Sequence, residues 1–408
     1  MAGGAASPAH LGRVLHEAHA NPRMSTLDYR TGIRLTHALA EGEGSCLELI
    51  EGSADFEAEA FPAFLKAHNL REWFAPIAGS ERGRKILPEG LVAELEAIRR
   101  GQPLRVEALV RLCEETQAAF RGVGIQALFL KGLYLAERFY GDLERRQQYD
   151  VDVLVRPDDC EPAVKALATL GFDTTTEHAT VRREEIRTIA PKHAPGTITL
   201  RRPDGMRLDL HVRTKSRWFH GIDERAYWSD RRSVRVGGCE FDTLSDEHTL
   251  VLLLASICAD LRRGASRAKH FLDLYLVLRA FEPSWDWEAF LERRRREGLL
   301  KTSVNALALF LTLWDCADEF PDLAQALERR RRHIEIRSPE EALALVSRPR
   351  RSLENLAWYR RLGSRTTLGY LRWSLFQDLP HTLSRGAASL RPGGPAVPWR
   401  SPGSPPPA

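Results

Sequence analysis

The sequence predicts an α+β fold: a small mixed sheet in the middle of the chain, flanked by N-terminal and C-terminal helical regions. Three observations carry this. Tyr149-Asp-Val-Asp-Val-Leu-Val155 alternates polar and apolar residues with the two-residue period of a strand covered on one face. Thr197 to Arg201 and Arg207 to Val212 are a second strand pair, joined by Pro203-Asp-Gly205, a strong hairpin turn. On both sides of this region apolar residues recur at helical spacing.

The elements follow in order. Residues 1–100 read as helical, with Phe61, Phe64 and Leu65, then Leu91, Val92, Leu95 and Ile98, at three- and four-residue intervals. Gly101-Gln-Pro103 marks a boundary and opens a core unit over 101–243. Within it come an amphipathic helix from Val106 to Phe120, stopped by Gly122 and Gly124, and a strand from Ile125 to Leu130. A glycine turn at Gly132, a short helix from Leu133 to Tyr140 and a polar loop lead to the strand Val151 to Val155. A helix from Asp159 to Leu170 and a strand start at Gly171-Phe-Asp173 precede the hairpin. Ser245 then caps a helix whose first turn holds Asp246 and Glu247, where acids complement the helix dipole. It opens a C-terminal helical domain over 244–385, in which Leu250 to Ile257 reads as a buried helix and Phe271 to Leu278 as another. Residues 386–408 are too proline-rich to pack and are expected to be disordered. No internal repeat is visible.

At 408 residues the chain has room for two or three domains. Hydrophobic content of 43% and charged content of 28% are those of an ordinary globular protein. A formal charge of +4 is small, so nucleic acid is not indicated as a partner, since that would favour a concentrated basic face. The six cysteines are widely spaced with no Cys-x-x-Cys pair, which predicts reduced, buried thiols. No apolar run approaches the roughly 20 residues of a membrane span, and the N-terminus shows no signal core. A cytoplasmic location is expected.

The chemistry concentrates in three short stretches. On a strand, Asp150 and Asp152 project side by side while Val151, Val153 and Val155 face the core. Adjacent carboxylates repel unless a cation lies between them, and oxygen ligands on a rigid strand suit Mg2+. A third carboxylate is expected from a neighbouring strand about 4.8 Å away. Arg207-Leu-Asp-Leu-His-Val212 offers Asp209, as a metal ligand and base, with His211 on the same face. Lys131-Gly132 lies where a strand turns into a helix. There Gly132 lets the backbone approach a phosphate and Lys131 adds a positive charge, as Arg146 does from the loop.

Leu-Lys-Gly, then Arg-x-x-x-Asp-x-Asp-x-Leu-Val, then Asp-Leu-His resembles the uncharacterised nucleotidyltransferase family of bacteria, within the DNA polymerase beta-like nucleotidyltransferase superfamily. The resemblance covers roughly residues 100 to 280. It implies a nucleotidyltransferase-fold core, an NTP substrate and a Mg2+ site in which Asp150 and Asp152 bind the metal and Asp209 completes it. Lys192-His193 matches a Lys/His element that precedes the third acid in relatives, and Asp273 belongs to the helical half, expected to close the nucleotide cleft. Two departures stand out. The superfamily turn is usually Gly-Ser, whereas Leu133 follows Gly132, leaving Lys131 to replace the hydroxyl. The 17 residues between Gly132 and Asp150 also exceed the commonest spacing.

The expectation is therefore a Mg2+-dependent nucleotidyltransferase that moves a nucleoside monophosphate from an NTP to a small-molecule, peptide or protein acceptor. Lys131, Gly132, Arg146 and His211 would contact the nucleotide. Two alternatives stand beside it: a toxin-like nucleotidyltransferase acting on tRNA, which needs a basic channel to Asp209, and a catalytically inert nucleotide-binding or interaction module, for which Asp209 would point away from the Asp150 and Asp152 pair.

Each motif also has a plainer reading. Asp-x-Asp can be a solvated strand face, His211 a hydrogen-bonded structural residue, Lys131 a snorkelling strand end and Arg146 half of a surface ion pair. Arg293 to Arg296 and Arg329 to Arg332 each follow a Glu and read as solvated helix faces. Thr366 to Phe376 reads as a packed terminal helix.

Overall fold

Four strands form the sheet that positions the acids: β1 (Ala127–Leu130), β2 (Asp150–Val155), β3 (Thr197–Arg201) and β4 (Arg207–His211). They lie in the order β1-β2-β4-β3. β2 pairs antiparallel with β1 and parallel with β4, while β3 and β4 form the antiparallel hairpin, so the sheet is mixed. The computed structural model describes residues 26–53, 56–176, 196–214, 224–263, 266–282, 284–336 and 338–347. Lys192-His193, the Thr366 to Phe376 stretch and residues 386–408 lie outside the described residues.

Strand alternation becomes a two-sided sheet. Val151, Val153, Val155, Leu208, Leu210, Ile198 and Leu200 are all buried, each side chain contributing about 1.5–3 kcal/mol. On the opposite face Asp150 and Asp152 are only partly buried. Leu154 shares their face but is buried, because Leu128 of β1 lies across from it. On β2 itself, the polar positions of this face are thereby the two acids at the start of the strand.

One helix, Glu89–Gly122, runs unbroken through Gly101 and Pro103, where the sequence suggests a boundary. Gly and Pro cost about 1 and 3 kcal/mol inside a helix. Here Leu91, Leu95, Val106, Leu109, Leu112, Cys113 and Phe120 are buried on both sides of the weak point. The buried Gln102 also donates from Nε2 to the Glu144 carbonyl at 3.0 Å. Packing of the stripe outweighs the local penalty.

A second hairpin, β5 (Arg232–Val236) with β6 (Cys239–Thr243), is not anticipated by the sequence reading. Its turn is Gly237-Gly238, with φ of 55° and 92°, the positive values that a two-residue primed turn requires. Gly237 also lies so close to the long helix that a Cβ there would sit 2.9 Å from Val110 Cγ2. The hairpin is tied to the sheet by Thr243 Oγ1, which donates to the Phe129 carbonyl at 2.6 Å.

Beyond it, helix Asp246–Arg263 begins as expected: Ser245 Oγ accepts from the His248 backbone N–H at 3.3 Å. Leu250 to Ile257 is buried throughout, and helices Ala268–Phe281 and Leu300–Trp314 extend the apolar core. All six cysteines are buried, and none is in a disulfide. Among the described residues no helix is long and apolar enough to cross a membrane.

Candidate active site

The parallel pairing of β2 with β4 sets Asp152 opposite Asp209 and Asp150 opposite Arg207. Directly opposed residues in a parallel pair point to the same face, so Asp150, Asp152, Asp209, Arg207 and His211 share one surface. The arrangement is not that of an Asp209 turned away from the pair. Arg207 donates from Nη2 to Asp150 Oδ2. His211 lies with Nε2 2.8 Å from Asp152 Oδ1 and Nδ1 2.9 Å from Thr197 Oγ1. A carboxylate only accepts, so Nε2 carries the proton towards Asp152. Burial alone would raise the Asp152 pKa; the hydrogen bond from His211 and the charges of His211, Lys131 and Arg146 outweigh it and hold the carboxyl below its ordinary value. Asp209 Oδ1 is buried and has no hydrogen-bond partner among the described residues.

Arg207 is a site residue the sequence reading passed over. The signal was present: the alternation that places Asp209 and His211 on one face places Arg207 there too.

The turn after β1 is strained. Lys131 has φ 49° and ψ −117°, a conformation that glycine tolerates and lysine does not favour, and Gly132 follows at φ 35°. Such strain collects at functional sites, where the surrounding structure enforces it. Lys131 Nζ donates to Ser256 Oγ at 2.8 Å, and Ser256 Oγ donates in turn to the Leu252 carbonyl at 2.7 Å. Burial pulls the Lys131 pKa below its ordinary value, against the opposing fields of Asp152, Asp260 and Asp273. Leu133, in place of a turn hydroxyl, is buried at 6% exposure.

Arg146 does not face open solvent. It is buried and grips Asp273 with both prongs, Nε to Oδ1 at 2.8 Å and Nη2 to Oδ2 at 2.9 Å, while Nη1 reaches the Gly132 carbonyl at 3.5 Å. Tyr140 adds a third hydrogen bond to Asp273 Oδ1 at 2.7 Å. Lys269, one turn earlier on the Asp273 helix, donates to the Gln147 carbonyl, and burial together with Arg146 lowers its pKa to about 7. His270 Nδ1 lies 2.6 Å from Asp260 Oδ2. The C-terminal helices therefore supply one wall of polar groups to the turn, with Ser256, Asp260, Lys269, His270 and Asp273 all absent from the sequence-derived site except Asp273.

The donor set fits a divalent cation in chemistry, since Asp150, Asp152 and Asp209 are hard oxygen ligands on adjacent strands and Asp209 keeps an unpartnered oxygen. In this structure Asp150 and Asp152 are instead paired with Arg207 and His211. Among the described residues, the trio of ligand atoms that gathers within 4.8 Å is His37, Glu41 and Glu319, in the helical part of the fold. That trio is already compensated, by Arg279 donating to Glu41 and by the Tyr275 hydroxyl lying between the two glutamates, 2.6 Å from Glu41 and 2.8 Å from Glu319.

The arginine runs are tied down. Arg293 and Arg294 pair with Glu247, Arg295 and Arg296 with Glu292, and Arg329 and Arg330 with Glu288.

A mixed sheet that brings an Asp-x-Asp strand beside a third acid and a Lys-Gly turn is the arrangement implied for nucleotidyltransferases. The chain belongs to the uncharacterised nucleotidyltransferase family, whose match spans residues 54–315. A search of curated proteins finds none similar to it. Among solved structures, an antigenic nucleotidyltransferase-like protein from Paracoccidioides brasiliensis aligns at 17% identity and a TM-score of 0.29, over 55% of this chain and 91% of that one.

Proposed function

We propose that the protein is a Mg2+-dependent nucleotidyltransferase that transfers a nucleoside monophosphate from an NTP to an acceptor hydroxyl or phosphate. The observation that carries this reading is the register of β2 on β4, which sets Asp209, with its unpartnered oxygen, beside Asp152. Family membership supports nucleotidyl transfer in general. Asp150, Asp152 and Asp209 would hold Mg2+, which when bound neutralises charge on the phosphoryl oxygens and the leaving pyrophosphate. Asp209 accepts the proton of the acceptor hydroxyl as its oxygen attacks the α-phosphorus and the bond to pyrophosphate breaks. Lys131 and Gly132 lie where the triphosphate is received. Arg146 acts through its ion pair, holding the Gly132 turn against the C-terminal helices.

One observation favours an inert interaction module instead: both β2 acids already have side-chain partners, Arg207 and His211, and Leu133 supplies no hydroxyl. Calorimetric titration with each of the four nucleotides in Mg2+ decides between the readings. Binding by the wild type, lost in Asp150→Ala/Asp152→Ala, is the expected outcome. A folded wild-type protein that binds none of the four with Mg2+ present overturns the enzyme reading.

A further inference from the structure

We infer that Gln148 is a nucleotide-contact residue of this site, its carboxamide N–H donating to a triphosphate oxygen of the NTP and its carbonyl oxygen accepting from a nucleotide hydroxyl. The inference rests on the nucleotidyltransferase reading above and adds a residue to it.

Gln148 is 4% exposed, yet neither Nε2 nor Oε1 meets a hydrogen-bond partner among the described residues. Buried side-chain amides in native structures nearly always have a hydrogen-bond partner, and one that finds none among the surrounding side chains and backbone calls for a reason. Its neighbours are not in the same state. Arg146 is paired with Asp273, and Gln147 lies 2.6 Å from the Tyr149 hydroxyl. The orphaned amide is also in a particular place. A Cβ built on Gly132 would stand 3.4 Å from Gln148 Oε1, so the side chain lies directly over the turn. In sequence it precedes Asp150 by two residues, as Asp150 precedes Asp152. The unpartnered amide thus lies over the glycine turn that follows Lys131, on the stretch of chain that leads into Asp150.

The chemistry of the gap fits a nucleoside triphosphate. A neutral amide offers both a donor and an acceptor, and an NTP brings both anionic phosphate oxygens and ribose hydroxyls. Gly132 leaves room for this approach because it has no side chain, and the buried Leu133 cannot compete for the ligand.

The test uses the full chain, titrated with MgATP, MgGTP, MgCTP and MgUTP, and melted without nucleotide. Gln148→Met keeps the volume and removes the amide. It is expected to melt at or above the wild-type temperature, because a buried unsatisfied group has gone, and to bind the preferred NTP about tenfold or more weakly. Gln148→Glu places a carboxylate against the phosphates and is expected to bind more weakly still. Wild-type-like NTP affinity in both variants overturns the inference while leaving the nucleotidyltransferase reading intact. So does a Gln148→Met protein that melts well below the wild type, which would mean the amide holds the fold. A wild type that binds no NTP overturns both.

Discussion

Arg146 and Asp273 are 127 residues apart in sequence and meet through two hydrogen bonds of 2.8 and 2.9 Å, both side chains buried. The pair joins the loop that leads into the acidic strand to a helix of the C-terminal region. Its removal is therefore expected to loosen the site as well as the fold. Asp273→Ala leaves a buried guanidinium without its counter-charge, and such a break costs roughly 3–5 kcal/mol. Arg146→Met/Asp273→Leu, which removes both charges, is expected to recover most of that loss. Urea unfolding of Arg146→Met, Asp273→Leu and the double would check it. A double variant as unstable as the sum of the singles would show that the pair is not coupled.

Asp152 and Asp209 face each other across β2 and β4 with one Asp209 oxygen unpartnered, an arrangement that costs stability in the absence of a cation. Asp209→Asn is expected to leave the metal-free melting temperature unchanged or to raise it by a few degrees, as substitutions at strained functional sites often do. Mg2+ is expected to raise the melting temperature of the wild type and not that of the variant. Thermal melts with and without Mg2+ measure both. An equal metal-induced rise in the two proteins would remove Asp209 from the ligand set.

How much of this was legible in the chain depends on range. Asp150, Asp152, Asp209 and His211 are readable because alternation along a strand is local, and a period of two fixes which side chains share a face. The β3–β4 hairpin is readable from Pro203-Asp-Gly205 for the same reason. The β5–β6 hairpin also left a local signal, Gly237-Gly238 between β-prone runs, which the helical character just beyond it obscured. The partner of Arg146 left none. Nothing near position 146 indicates that a carboxylate 127 residues later will be brought against it, so the reading as a surface pair or phosphate ligand had no way to see burial. Gly101 and Pro103 mislead in the opposite direction: their local penalty is real, and the buried stripe of the Glu89–Gly122 helix overrides it. Gln148 was overlooked because a glutamine in a polar loop looks solvated until its burial is known.

The strain at Lys131 can be measured separately from the charge. Lys131→Ala and Lys131→Gly both remove the ammonium and its hydrogen bond to Ser256, so they differ only in the Cβ methyl and the backbone freedom it restricts. At φ 49° and ψ −117° alanine retains the unfavourable conformation and glycine relieves it. Lys131→Gly is expected to be more stable than Lys131→Ala by about 1 kcal/mol, after allowing for the greater freedom of glycine in the unfolded chain. Both should weaken NTP binding alike. Chemical denaturation that ranks alanine above glycine would mean the turn relaxes when the lysine is removed.

His68 gives the fold a pH dependence with a definite sign. It is 4% exposed, packed against Tyr29 and Phe64, and its Nδ1 accepts from the Ala268 backbone N–H at 3.2 Å. Burial, aided by the charge of Arg267, lowers its pKa to about 3 from an ordinary 6.5. The neutral ring is therefore favoured in the folded state. Above pH 6.5 the folded and unfolded chains both hold it neutral, and its contribution is complete. As pH falls below 6.5 the unfolded chain takes up a proton that the folded chain refuses, and this contribution declines by roughly 1.4 kcal/mol per unit until the folded value is reached. His68→Gln keeps an acceptor for the Ala268 N–H and does not titrate. Urea unfolding at pH 7, 5.5 and 4.5 should show a stability gap between wild type and variant that moves towards the variant as pH falls. A gap constant across that range would mean that His68 titrates alike in both states, and that it is reached by water in the folded protein.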